Sequence, residues 1–151
     1  MDISQNGTLA ELRNTFAQLT VPSPDKLAGA WEGKYIGPFW LRTFAPLAMG
    51  LGPLRGWSGK RFIDNQNAIN IVGMGQQQQD KHPMTISKSN GLDTLPVIAL
   101  KYDKTLPFPL PRLTDEIRMV RDDCLMGMAV LDIPLLRKVG WPFILTRKPG
   151  S

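Results

Sequence analysis

The sequence predicts a mainly β fold, an antiparallel sheet closed into a barrel or folded as a sandwich. Two observations point there. From Trp57 onward, seven or eight short strand-like segments follow one another with no regular helical alternation between them. Thirteen prolines and fourteen glycines also punctuate the 151 residues, more than a helical bundle tolerates and well suited to tight turns.

The elements can be justified in order. "TLAELRNTFAQL" (Thr8 to Leu19) predicts a short amphipathic helix: Thr8 is placed to cap it, Glu11 sits at capping-box spacing, and Leu9, Leu12, Phe16 and Leu19 form one apolar stripe. "VPSPD" stops it, because proline cannot continue a helix. The helix is expected to cover one face or one open end of a sheet. Leu27 to Ile36 predicts the first strand. Gly37 to Leu54 is strongly apolar and is expected to be helical or coiled. The strands then follow in "SGKRFIDNQNAINIVGM", "KHPMTISKS", "PVIALKYDK", "EIRMVRDDCLMGMAVLDI" and "PFILTRK", where Phe143, Leu145 and Arg147 share a face. Asn90-Gly91 is a strong hairpin signal and Asp122-Asp123 a weaker one. Gln76 to Gln79 reads as a solvated loop.

Length and composition describe one domain over residues 1–151, with 1–26 as N-terminal helix and linker and 27–151 as the sheet. A single cysteine, Cys124, leaves no disulfide framework. The polar start from Met1 to Gly7 resembles no secretory signal, so a cytoplasmic protein is expected. The apolar run Gly37 to Leu54 is broken by Arg42, Pro46 and Gly50, so no membrane span is expected. The net charge is +5, but no more than two basic residues are ever adjacent and acids interleave with them, which argues against a nucleic-acid partner.

Two frames of Trp-x-Gly-Lys occur, Trp31-Glu-Gly33-Lys34 and Trp57-Ser-Gly59-Lys60. An indole at a strand start can plug a barrel end while the glycine lets a neighbour approach closely. Arg147 on the last strand is the candidate to stack on Trp31, in a structural role. "GAWEG" (Gly29 to Gly33) resembles the signature of the GXWXG-motif proteins, a family of unknown function. A second block like "GWSGKRF" follows there at about this distance. In "RMVRDDCLMGMAVLD", Arg118, Asp123, Leu125, Gly127 and Met128 match a third. The likeness spans Leu27 to Asp132 in blocks; more distantly, Gly-x-Trp is similar to lipocalins, fatty-acid-binding proteins and nitrobindins. The resemblance implies a lipocalin-like closed barrel around a cavity for a hydrophobic small molecule. Two features depart from the pattern: the unusually apolar stretch between the first two blocks, and an extra C-terminal strand.

The chemistry that remains is narrow. His82 is the one histidine, in a polar loop, so neither an axial haem ligand on a late strand nor a zinc ligand set is available, and no cofactor is expected. Cys124, beside Leu125 and Met126, reads as a small buried thiol. "DEIRMVRDD" concentrates charge. On a strand Glu116 and Arg118 share a face, and Arg118 and Met128 are expected to line the interior together. Trp31, Phe39, Trp40, Phe44, Trp57 and Met128 would then form apolar walls, with Arg118 as the polar anchor for a lipophilic ligand. If the barrel is instead a cofactor-free cyclase, isomerase or hydrolase acting on a polyketide-like or other lipophilic substrate, Glu116, Asp123 and Arg118 would steer protons or hold an oxyanion. A solvent-facing charge ladder is the bland alternative for the same residues. The segment 37–54 is expected to act as a lid over the cavity mouth or as a homodimer contact, and both stay open.

Overall fold

The computed structural model describes residues 3–43 and 52–150. Eight antiparallel strands close into one barrel in chain order: β1 (Gly29–Tyr35), β2 (Trp57–Phe62), β3 (Asn67–Val72), β4 (Gln79–Asn90), β5 (Pro96–Tyr102), β6 (Leu113–Arg121), β7 (Cys124–Leu131) and β8 (Gly140–Arg147). β8 closes the ring on β1, pairing Trp31 with Arg147 and Tyr35 with Phe143. The extra C-terminal strand is therefore what abolishes the sheet edges. No helix among the described residues is long and apolar enough to cross a membrane.

The N-terminal helix α1 (Leu9–Ala17) starts where its cap predicts, with Thr8 Oγ1 accepting from the Glu11 N–H at 3.2 Å. It lies on the outer face of the barrel. Leu12 and Phe16 pack there with Val97 of β5, Cys124, Met126 and Met128 of β7 and Ile144 of β8, a second core separate from the interior one. Cys124 is buried as expected, and burial raises its thiol pKa.

The interior holds the alternate residues of the same strands, among them Trp31, Phe62, Ile98, Leu100, Ile117, Leu125, Phe143 and Leu145. Each such side chain contributes about 1.5–3 kcal/mol by leaving water. One barrel end is plugged by Trp31, whose indole N–H donates to the Leu27 carbonyl at 2.8 Å. The Arg147 guanidinium lies 4.2 Å from the Trp31 ring centroid and donates to the carbonyls of Ala28 and Lys26. The stacking expected from the last strand is present.

The two Trp-x-Gly-Lys frames prove to be reciprocal. A Cβ on Gly33 would lie 2.4 Å from Trp57 Cη2, and one on Gly59 would lie 2.0 Å from the Trp31 carbonyl oxygen. Gly33 makes room for the other frame's indole, and Gly59 for the β1 main chain at Trp31, across the β1–β2 ladder.

The local signals are met in part. Asn90-Gly91 opens the β4–β5 hairpin through a five-residue turn over 91–95, in which Asp93 and the Leu92 N–H bond side chains of β6. The weaker signal, Asp122-Asp123, forms the two-residue turn. Gly75–Gln77 is a 3₁₀ turn and Gln79 already belongs to β4. His82 sits within β4 at the register shift against β3, half-buried with φ 63°, its Nε2 2.8 Å from the Pro53 carbonyl oxygen. A bulge, not a loop, carries the chain through that conformation.

Candidate functional site

β6 decides where the chemistry lies. Leu113, Asp115, Ile117 and Met119 face the barrel interior, while Glu116 and Arg118 face outward, Arg118 under α1 and Glu116 against the 91–95 turn. A strand's side chains alternate with period two, so neighbouring acids in the sequence serve opposite faces.

Inside, Asp115 meets Lys60 of β2. Lys60 Nζ stands 2.6 Å from Asp115 Oδ2 with both side chains buried. It also donates to Asn70 Oδ1 at 2.8 Å and lies 3.6 Å from Met84 Sδ. The Asn70 amide donates in turn to the Tyr102 hydroxyl. Rings of Trp57, Phe143 and Tyr102 stand around the ammonium, their centroids 5.7, 5.8 and 6.0 Å away. A register shift between Trp57 and Gly59 is what lets Trp57 and Lys60, three residues apart, both point inward. Burial raises the pKa of Tyr35, and the charge of Asp115 raises it further; Tyr102 is pushed up by the same two causes. Both phenols therefore stay protonated throughout the physiological range.

The end of the barrel opposite the Trp31 plug has a cleft of about 440 Å³, bordered by Gly33, Tyr35, Arg42, Leu54 and Trp57. The Tyr35 and Trp57 rings stand 5.2 Å apart at its floor, and Trp57 leans edge-on against Phe143 at 5.7 Å. Trp57 thus joins the cleft to the charged pair. An ion pair carries no net charge, yet it presents both a strong donor and a strong acceptor in apolar surroundings, where hydrogen bonds gain strength. Among the described residues no group of three or more His, Cys, Asp or Glu side chains could hold a metal ion.

The residues singled out from the sequence are distributed otherwise. Arg118 does not line the interior. Its five N–H bonds go to Asp93 (Nη1–Oδ2 2.6 Å, Nη2–Oδ1 2.8 Å) and to the carbonyls of Phe16, Leu95 and Pro96, and its guanidinium covers the Phe16 ring at 4.3 Å. Every donor is committed to the fold. Met128 likewise faces α1, because it shares the parity of Met126 on β7. Glu116 accepts from the Leu92 N–H at 2.9 and 3.0 Å, and burial raises its pKa. Asp123 is an exposed turn residue paired with Arg121 at 2.9 Å. The three proposed catalytic groups therefore never meet inside the barrel.

Of the expected walls, Trp57 borders the cleft and Trp31 forms the floor of the plugged end. Phe39 and Trp40 are exposed, because Leu41 takes the buried side of the helical turn at 39–43. Phe44 lies outside the described residues. Lys60, Asp115, Asn70 and Tyr35 were missed. Asp115 shares parity with Leu113, Ile117 and Met119, but α1 buries the outer face of β6 as well, so alternation does not reveal which face is inside.

Neither a family model nor a curated protein matches the chain. Among solved structures, one described as the crystal structure of a protein from Thermomonospora curvata matches with a TM-score of 0.71, over 95% of this chain and 89% of that one, at 23% sequence identity. At that identity the likeness establishes the barrel fold.

Proposed function

We propose that the barrel binds an apolar small molecule ending in a neutral polar group, a ketone, ester or alcohol, with Lys60 donating to its oxygen or Asp115 accepting from its hydroxyl. The buried Lys60–Asp115 pair carries this reading. Two charges withdrawn from water into an apolar interior are a poor source of stability, since hydrophobic residues of similar volume commonly do as well. A neutral head group suits a net-neutral pair, whereas an anion would have to displace Asp115 from Lys60. The cleft beside Tyr35 and Trp57 has the volume of a small-molecule site and takes the apolar body. The resemblance of Gly29 to Gly33 to the GXWXG motif supports a cavity-binding role by analogy.

The test uses Prodan, a fluorescent naphthyl ketone. Titration should give saturable binding with blue-shifted emission, stronger than that of the anionic dye ANS. Equal binding of both, or none of either, overturns the reading.

The Tyr35 phenol, in the field of Asp115, favours a second reading as a cofactor-free enzyme: Lys60 or Tyr35 hydrogen-bonds a carbonyl oxygen while Asp115 takes the adjacent carbon-bound proton. Deuterium exchange at the methylene next to the Prodan carbonyl reads this directly. Exchange above the buffer rate that disappears in Asp115→Asn supports turnover chemistry, and exchange at the buffer rate leaves binding alone.

A further inference from the structure

In an up-and-down barrel, connections alternate between the two ends. The described parts of the β1–β2 connection, 36–43 and 52–56, and the segments 73–78, 103–112 and 132–139 therefore share the cleft end, while the short turns 63–66, 91–95 and 122–123 share the other. The two ends differ in both charge and surface. At the cleft end Arg42, Arg55, Lys104, Arg112, Arg137 and Lys138 stand against Asp103 and Asp132, a net +4 of the chain's +5. All six cations are exposed. The three turns at the far end hold Asp64, Asp93, Asp122 and Asp123 and no base, and the chain entering β1 and leaving β8 there adds Asp25, Lys26 and Lys148, so that end stays net negative.

Exposed apolar residues occur at both ends, with Ile63, Leu92 and Leu95 on the far turns, but the most exposed lie at the cleft end. Among the described residues the four most exposed large hydrophobics are Leu135 (96%), Met74 (83%), Phe39 (76%) and Phe108 (70%), one on each of the four segments of the cleft end. Trp40 is exposed beside Phe39. Single exposed apolar residues are unremarkable on any surface. One on every loop of one rim, set among cations, is the pattern of a surface that inserts apolar tips while its charges meet anionic headgroups.

We propose that the cleft end docks on an anionic lipid surface, with Phe39, Met74, Phe108 and Leu135 entering the headgroup boundary and the six cations facing the phosphates. The barrel then stands with its mouth toward the bilayer. An apolar ligand could pass between lipid and cleft without crossing water. Docking needs only the rim, so it stands or falls independently of the interior reading.

The experiment is cosedimentation with vesicles of phosphatidylcholine alone or mixed equally with phosphatidylserine. The wild-type protein should bind the mixed vesicles, release on raising salt, and ignore phosphatidylcholine. Each cation near the surface is worth roughly fivefold in partitioning, so Lys104→Gln/Lys138→Gln should bind roughly 25-fold more weakly. The variant Phe39→Ser/Met74→Ser/Phe108→Ser/Leu135→Ser changes exposed tips, should keep the wild-type melting temperature, and should lose most binding. Lys60→Met/Asp115→Leu should bind vesicles like wild type. Absence of wild-type binding to mixed vesicles overturns the proposal, as does undiminished binding by the serine variant. Capture of wild type and serine variant alike by soluble polyglutamate, with no vesicle binding, overturns it in favour of an acidic protein partner.

Discussion

Two ion pairs lie on opposite sides of one strand, and they differ in what their charges are free to do. On the outer face, Arg118 binds Asp93 and three backbone carbonyls, so its guanidinium ties α1, the 91–95 turn and β6 into one unit. On the inner face, Lys60 meets Asp115, one amide oxygen and a thioether, and is otherwise surrounded by aromatic rings. The closest contact is 2.6 Å in both pairs. The distance therefore does not separate them; the partners do. A cation spent on main-chain carbonyls cannot be replaced without orphaning them. A cation whose main partner is a single carboxylate can be removed together with it.

The largest expected effect breaks the outer pair. Arg118→Met should lower the urea-derived stability by about 3–5 kcal/mol, because Asp93 and the carbonyls of Phe16, Leu95 and Pro96 all lose a donor. Adding Asp93→Leu should not restore it. Recovery in that double variant would show that the carbonyl bonds matter little and that the two pairs are alike. Next in size is the packing that frames the inner pair. Gly33→Ala sets a methyl against the Trp57 ring and should cost about 1–3 kcal/mol, with a change in Trp57 fluorescence. An unchanged melting temperature would mean that Trp57 moves aside freely.

A smaller effect tests the plug. Trp31→Phe removes the N–H bonded to Leu27 together with one ring of the buried indole, and should cost at least about 1–3 kcal/mol from the unpaired carbonyl alone. A cost near zero would show that neither the hydrogen bond nor the second ring holds the plug. The smallest effect concerns Glu116. Its pKa is raised in the folded state, so its favourable contribution is full below the unfolded value of 4.5 and is lost as pH rises through the folded value. Glu116→Gln should therefore melt slightly higher than wild type at neutral pH, with the difference vanishing as pH falls toward the unfolded value. A lower melting temperature at neutral pH would show that the carboxylate's bonds to the Leu92 N–H outweigh its burial.

The sequence carries the barrel well and the site poorly, for related reasons. Turn residues, apolar alternation and the Thr8 cap are local signals, and local geometry honours them at α1 and along most of the barrel, the start of β4 at Gln79 and the bulge at His82 excepted. Even the Arg147–Trp31 stack follows from parity on one short strand, since the Thr146 between Leu145 and Arg147 is exposed. β6 has no such cue. Both of its faces are buried, one by the barrel and one by α1 and the 91–95 turn, so Asp115 and Glu116 look equivalent until those elements are placed. Lys60 is hidden differently: the register shift at Trp57 and Gly59 breaks the count of two that would link it to Trp57. The charge asymmetry between the barrel ends, by contrast, is already present in the sequence, but it takes the strand boundaries to see that four separate loops meet at one rim.

The most direct test of the inner pair is the double variant Lys60→Met/Asp115→Leu, read for stability and for Prodan affinity on the same preparation. Stability should match or exceed wild type, in line with exchange of a buried ion pair for hydrophobic residues. Prodan affinity should fall at least tenfold, about 1.4 kcal/mol, the loss of one good hydrogen bond to a charged group. Wild-type affinity in a stable double variant would contradict the account and reduce the pair to a structural feature of the core.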